Sequence, residues 1–494
     1  MNNKIKSIIA ILVLTFNIQS CEEYLEVLPE GEQNSEEYFN SAEDYEAALI
    51  GVYDLLSTTY LNNILGEIAS DNSLCGGENP TDVLDWQQID DMTHNPDNGA
   101  LRNIFQWMYA GISRANYIVE FQDKIEFEGK AELLAENLFL RSYYYFELVK
   151  FFGDVPLYTD GRITIEETQS ISRTPASEVY EKLEADLRSA ISNLPWTQSQ
   201  GGRATKGAAL ALLGKIYLYQ EKYGDAADAL DQVITSGQYQ LVNNFGTIFL
   251  SSSENNVESV FEVQYFGGIE GASFDCFVCV EGNIASGFMG PRFNGGDFSP
   301  YKNGFSFNVP VQELFDAYQD GDTRRDHTIF DINAFITERS DVTFTEGSEH
   351  TGYFNFKYIP YDDGSLGDAN INRGNNYRAI RYADVLLMAA EAHNLKDIPN
   401  DVLASNYLNQ VIERAFGDDS QNVSLTGTNL TQAILRERRL ELAGEGHRFF
   451  DQVRTGQTAT IPNFETNKHI LFPIPRVEIE LAGNRWEQNL GYTN

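Results

Sequence analysis

The sequence predicts a mostly α-helical protein, built as a scaffold of paired helices that carries a large loop-rich region with short strands. Three observations lead there. Apolar residues recur every three to four positions through two long blocks of the 494-residue chain. A tetratricopeptide-like spacing sits inside the first block. Two stretches rich in Gly, Asn and aromatic residues interrupt the periodicity, and loops of that length in a folded chain usually carry function.

The chain opens on a processing signal. Lys4 and Lys6 precede an apolar run from Ile8 to Phe16, too short to span a bilayer as a helix. Ile18-Gln19-Ser20-Cys21 follows. It resembles a bacterial lipobox, whose cysteine is diacylated and becomes the mature N-terminus. Residues 1–20 are therefore expected to be removed, leaving a single domain over 21–494, and Cys21 to anchor it, since two or more acyl chains hold stably where one does not. The alternative is an ordinary signal peptide with an incidental cysteine.

The first helical block contains Ala42–Ser57, Leu101–Phe121, Ala131–Phe152, Ala176–Asn193, Ala204–Gln220 and Asp225–Thr235. Between Gly207 and Val233, Leu213-Gly214, Tyr217, Tyr223, Ala226, Leu230 and Val233 stand at tetratricopeptide offsets. Small Gly214 and Ala226 would let two antiparallel helices approach, and Gly237 would end the second. The second block holds Arg381–His393, Val402–Phe416, Asn429–Ala443 and Glu445–Val453. Four pairs are expected: 42–60 with 100–122, 130–152 with 175–193, 204–220 with 224–235, and 379–394 with 401–416. The scaffold would occupy about 22–60, 100–236 and 377–494. The loop regions would occupy about 61–98, with alternating pieces such as Val83-Leu84-Asp85-Trp86, and about 238–376.

Charge narrows the function. Asp and Glu number 73 against 35 Lys and Arg, a formal −38. A chain this acidic is not expected to bind nucleic acid, whose affinity comes from basic side chains. Beyond Cys21 only Cys75, Cys276 and Cys279 remain. Cys276 and Cys279 have CxxC spacing without the strand–helix context of a redox site or the second ligand pair of a zinc site. A local disulfide or plain buried thiols are expected.

No catalytic set stands out. The six histidines form no H-E-x-x-H pattern. Glu437, Glu441 and Glu445 lie one helical turn apart, a spacing that invites a glycosidase reading. Arg436, Arg438, Arg439 and Arg448 beside them make an ion-pair lattice the preferred account, because acid–base work needs carboxylates free of such partners. The loop Asp362–Asp368 offers oxygen ligands for a structural calcium without EF-hand spacing. A solvated turn is the default, and no cofactor is expected.

Seven collinear segments then resemble the SusD/RagB group of outer-membrane nutrient-binding lipoproteins of Bacteroidetes. They are the strip Cys21–Pro29; Phe139–Val149 with Phe152–Leu157; Arg203–Leu210; Tyr377–Met388; Ile434–Leu442 with Gly446–Asp451; Leu471–Pro475; and Asn489–Tyr492. The resemblance implies four tetratricopeptide-like units with a loop-rich second part. It also implies a non-catalytic surface lipoprotein that captures a glycan and acts as lid to a TonB-dependent SusC-like porin, on the outer face of the outer membrane.

A glycan site needs aromatic platforms for apolar sugar faces beside polar groups for the hydroxyls. Of four tryptophans, Trp107, Trp196 and Trp486 are assigned to packing. Trp86 is the candidate platform, with hairpin packing as its alternative. Asp71 and Asn72 resemble a family segment near the binding face. Gln87, Phe277, Arg292, Phe293, Asn294 and Tyr301 complete the expected set. Arg292 and Lys302 would admit a uronate polymer such as alginate, and the acidic total favours a neutral β-glucan such as laminarin. The alternatives are a lipoprotein of the same build that binds peptide or another nutrient, and a surface glycosidase.

Overall fold

The computed structural model describes residues 38–267, 274, 276–362 and 371–493. Cys21, the leader and most of the acidic loop, residues 363–368, lie outside them.

The four expected helix pairs are present. Helix α1, Ala42–Asp54, starts on a capping box in which Ser41 and Asp44 satisfy each other's backbone amides. It packs on the helix Gly99–Glu120. Lys130–Phe152 packs on Ala176–Asn193, Lys206–Tyr219 on Tyr223–Thr235, and Tyr382–Leu395 on Asp401–Phe416. The Tyr223–Thr235 helix also lies against Tyr382–Leu395, so the third and fourth pairs abut although over 140 residues separate them in the chain. A Cβ on Gly214 would stand 2.6 Å from the Leu230 Cγ, which is why a small residue is needed where these helices meet. Tyr143, Tyr144 and Tyr145 are all buried in the shared core, and the Tyr144 hydroxyl donates to the Val52 carbonyl at 2.6 Å.

Part of the expected first loop region is helical. The helix forecast over 42–60 breaks at Leu55 into a 3-10 turn, Leu55–Thr59, and resumes as α2, Tyr60–Ile68. All nine residues of α2 are buried. Tyr60, Leu61, Ile64, Leu65 and Ile68 stand at helical spacing, but the run ends after nine residues, short of the window in which periodicity separates helix from loop. Its polar face is buried only because Asn62 meets Glu147 and Glu67 meets Gly444 and Gly446. The Val83–Trp86 piece does not form a strand. Leu84–Asp90 makes a short helix, α3, with Trp86, Gln87 and Ile89 turned inward.

Among the described residues, the loop regions use four antiparallel strand pairs. β1, Ser73–Gly76, pairs with β4, Phe307–Pro310. β2, Ser259–Val263, pairs with β8, Tyr377–Arg381. β3, Arg292–Gly295, pairs with β6, Thr343–Thr345, and β5, Ile329–Asp331, with β7, Tyr353–Asn355. The β2–β8 pair roots the insertion in the scaffold, because Phe261 packs edge-on against Phe139 at 4.9 Å and β8 runs straight into the Tyr382 helix. The outer part has its own small core of Phe293, Phe330, Ile332, Val342, Phe354 and Ile359.

Candidate functional site

The face of interest forms where the first insertion meets the second. Gly77 donates to the Ser306 carbonyl at 2.8 Å and its own carbonyl accepts from Ser348 at 2.8 Å, so the Gly77–Asp82 turn is tied to both later segments. Gly77 has φ +94, and a Cβ there would press on the Phe307 ring at 2.8 Å, so glycine is required at this crossing. Beside the turn, Arg292 reaches the Asp82 carboxylate at 3.2 Å and lies 5.6 Å from the centre of the Phe305 ring.

Phe305 is one member of an aromatic cluster. Phe274 lies 6.0 Å from Phe305 and 6.0 Å from Phe277, and Phe288 lies 5.6 Å from Phe305 and 6.5 Å from Phe277. Phe274 is 49% exposed and Phe277 and Phe305 are half-buried, so ring surface reaches solvent. Polar capacity adjoins it. The half-buried Arg292 guanidinium, paired through Nη2 with Asp82, is the charged group beside the rings. Partly exposed aromatic faces beside a charged pair suit a ligand with apolar faces and polar edges.

The structure brings Phe277 and Arg292 together and places the other expected residues elsewhere. Trp86 is 5% exposed and wedged at 4.9 Å from Phe288 and 5.2 Å from Phe307. It is a floor beneath the aromatic cluster and not its surface, because α3 turns its ring inward. Gln87 is buried below the same turn and donates to the Gly76 carbonyl at 2.6 Å. Asp71 is half-buried and paired with Arg448 at 2.7 and 2.9 Å. Burial opposes its ionisation, but Arg448 and Arg439 outweigh that and hold the carboxyl below the usual range. Asn72 is fully buried and accepts from Arg439 Nε at 2.8 Å. Asp71 and Asn72 thus join α2 to the late helices and are not free to meet a ligand. Phe293 is buried and stacked on Phe298 at 4.5 Å, and Tyr301 is packed among Phe330, Phe335 and Tyr361. Both build the insertion's own core. Asn294 is exposed on β3, where its amide bonds Thr343 at 2.5 Å and Thr345 at 2.8 Å.

Phe274, Phe305 and Asp82 were absent from the sequence-based set. Phe274 and Phe305 stand in the same glycine-rich aromatic stretch as Phe277, so composition marked the region without ranking its rings.

The glutamate trio is a structural lattice, though with other partners than expected. Glu437 accepts from Arg324 at 2.5 Å, Glu441 from Arg324, Arg381 and Arg414 at 2.9, 2.8 and 2.5 Å, and Glu445 from Lys357 at 2.6 Å. Arg438 turns instead to Asp384 and Asp451, while Arg439 and Arg448 face Asp71. Burial disfavours the Glu441 charge, yet its three arginines hold the carboxyl far below its ordinary value. Such carboxylates are poor general acids. Cys276 and Cys279 form a disulfide, while Cys75 is a free buried thiol whose ionisation burial strongly disfavours. No group of His, Cys, Asp and Glu suited to a metal occurs among the described residues.

The fold and face together define a class: a repeat-helix binding scaffold that presents an aromatic loop face. Comparison with known proteins gives the family. A model described as "SusD family" matches residues 327–461, and one described as "Starch-binding associating with outer membrane" matches residues 23–218. The curated SusD-like protein P2 of Formosa agariphila is 29% identical, covering 98% of this chain and 99% of its own. The solved structure of a laminarin-binding SusD-like protein superposes with a TM-score of 0.81 at 33% identity, over 91% of this chain and 99% of that one. Surface glycan-binding protein A of Bacteroides thetaiotaomicron, solved with laminarihexaose, superposes with a TM-score of 0.80 at 26% identity, over 91% and 99% of the two chains. This chain belongs to the SusD-like family.

Proposed function

We propose that this protein is a non-catalytic surface lipoprotein that captures a neutral β-glucan of the laminarin type. The observation that carries the reading is the exposed Phe274–Phe277–Phe305 surface beside the Arg292–Asp82 pair. Aromatic faces take the C–H faces of sugar rings, and the charged pair serves their hydroxyls. Two structural neighbours are named for laminarin or were solved with laminarihexaose, which supports this polymer class over others. Arg292 spends its charge on Asp82, which argues against a uronate such as alginate as the preferred ligand.

Delivery to a SusC-like porin and anchoring through Cys21 belong to the same reading. The leader motif supports the anchor, and the matched description of proteins associating with the outer membrane supports the location.

Calorimetry on the mature protein tests the ligand. Laminarihexaose is expected to bind, and alginate oligosaccharides and mixed peptides are not. Binding to peptide with indifference to every glycan would replace the reading with the nutrient-peptide alternative. Release of reducing ends from laminarin would show that it is an enzyme.

A further inference from the structure

The disulfide between Cys276 and Cys279 has no place in the fold's main core. Cys279 is exposed and Cys276 half-buried. The bond closes a loop of four residues, and so short a loop removes little chain entropy from the unfolded protein. A staple for global stability would span more chain. What the bond encloses is the 3-10 turn Phe277–Cys279, which has no side-chain cap. Within it, Cys279 donates to the Cys276 carbonyl at 3.1 Å and Val280 to the Phe277 carbonyl at 3.2 Å. The turn belongs to no strand pair. Its aromatic contacts are edge contacts in the longer half of the usual range for ring pairs, 6.0 Å to Phe274 and 6.5 Å to Phe288. Phe277 is half-buried at the edge of the main core, so its ring keeps part of the freedom of an exposed side chain.

We infer that the Cys276–Cys279 disulfide is a positioning brace for the ligand face: it fixes the Phe277 ring in its binding orientation before ligand arrives. This rests on the glycan-binding reading above. Ordering a loop and a ring on binding weakens affinity, and a covalent clip that orders them beforehand removes that cost. Cys276 and Cys279 are positioning residues that act through Phe277. Four predictions separate this role from a structural one.

The test uses the mature protein and its Cys276→Ser/Cys279→Ser variant, each with and without Phe277→Ala. Laminarihexaose affinity, read by calorimetry, should fall about five- to tenfold on loss of the disulfide. The thermal midpoint should stay within about 2 °C. In the Phe277→Ala background the cysteine changes should cost no further affinity. Equal affinity with and without the disulfide overturns the inference. So does an undiminished loss in the Phe277→Ala background, or a variant that fails to fold. Hydrogen exchange provides an arm that needs no ligand: the amides of Cys279 and Val280 should exchange at least about tenfold faster without the disulfide. Unchanged exchange overturns the brace even if the wild-type protein ignores laminarihexaose, an outcome that by itself would reject only the choice of glycan.

Discussion

Arg381, the last residue of β8, donates to Glu441 at 2.8 Å with both side chains at most 1% exposed, and so bolts the root of the insertion to the helix Gly427–Leu442. Glu441 also holds Arg324 and Arg414, and Arg381 also holds Glu258 and Glu445. One buried lattice therefore ties segments from residues 258 to 445 together.

Removing one charge from that lattice leaves arginines buried without full compensation. Glu441→Gln is expected to cost about 3 kcal/mol of stability. Denaturant unfolding measures it, and binding by the folded fraction should be unchanged.

The same lattice sets the acid limit of the fold. Glu441, Asp384, Asp451 and Asp71 all have carboxyls held below their ordinary values; burial opposes this, and arginine and lysine partners outweigh it. A depressed folded-state pKa gives stability that is present above the unfolded value, near 4, and is lost as pH falls through it. Burial raises Glu437 and Glu67, which work in the opposite sense and offset part of the loss. The unfolding midpoint should hold above about pH 5 and drop steeply below about pH 4. Glu441→Gln should show a shallower drop across that window.

Trp86 and Phe305 should fail in different ways. Trp86→Ala removes the floor under Phe288 and should cost about 3–5 kcal/mol in stability. Phe305→Ala removes ring surface that faces solvent and should reduce laminarihexaose affinity about fivefold to tenfold, with a small change in midpoint. A Phe305→Ala protein that binds normally would move the ligand face elsewhere.

Gly66 on α2 meets the turn after the Gly427–Leu442 helix. A Cβ there would stand 2.3 Å from the Gly446 carbonyl oxygen, a backbone atom that cannot rotate away. Gly66→Ala is expected to destabilise by at least about 2 kcal/mol despite alanine's better helix propensity. Equilibrium unfolding in urea reads it.

The helical scaffold was legible because its helices are long, carry apolar residues at helical spacing, and in three of the four pairs follow one another closely in the chain. The Leu213–Val233 spacing is visible in one short segment, and Gly214 against Leu230 gives its physical reason. The α2 helix was not read from the sequence because its apolar spacing runs for only nine residues, and the burial of Asn62, Asn63 and Glu67 depends on distant partners. The ligand face was half legible. A glycine-rich aromatic stretch marked the region, and Phe277 and Arg292 fell inside it. Trp86 drew the platform role because a tryptophan in a polar context suggests exposure.

The order of residues thus determined the helix pairs, the insertion between them and the family, because each depends on local spacing that any short segment displays. Tertiary structure alone decided which aromatic rings face solvent and which arginine answers which glutamate. Those outcomes depend on contacts between residues far apart in the chain, such as Asp71 with Arg448 and Asp82 with Arg292. Burial and pairing are properties of such contacts, and no local pattern encodes them.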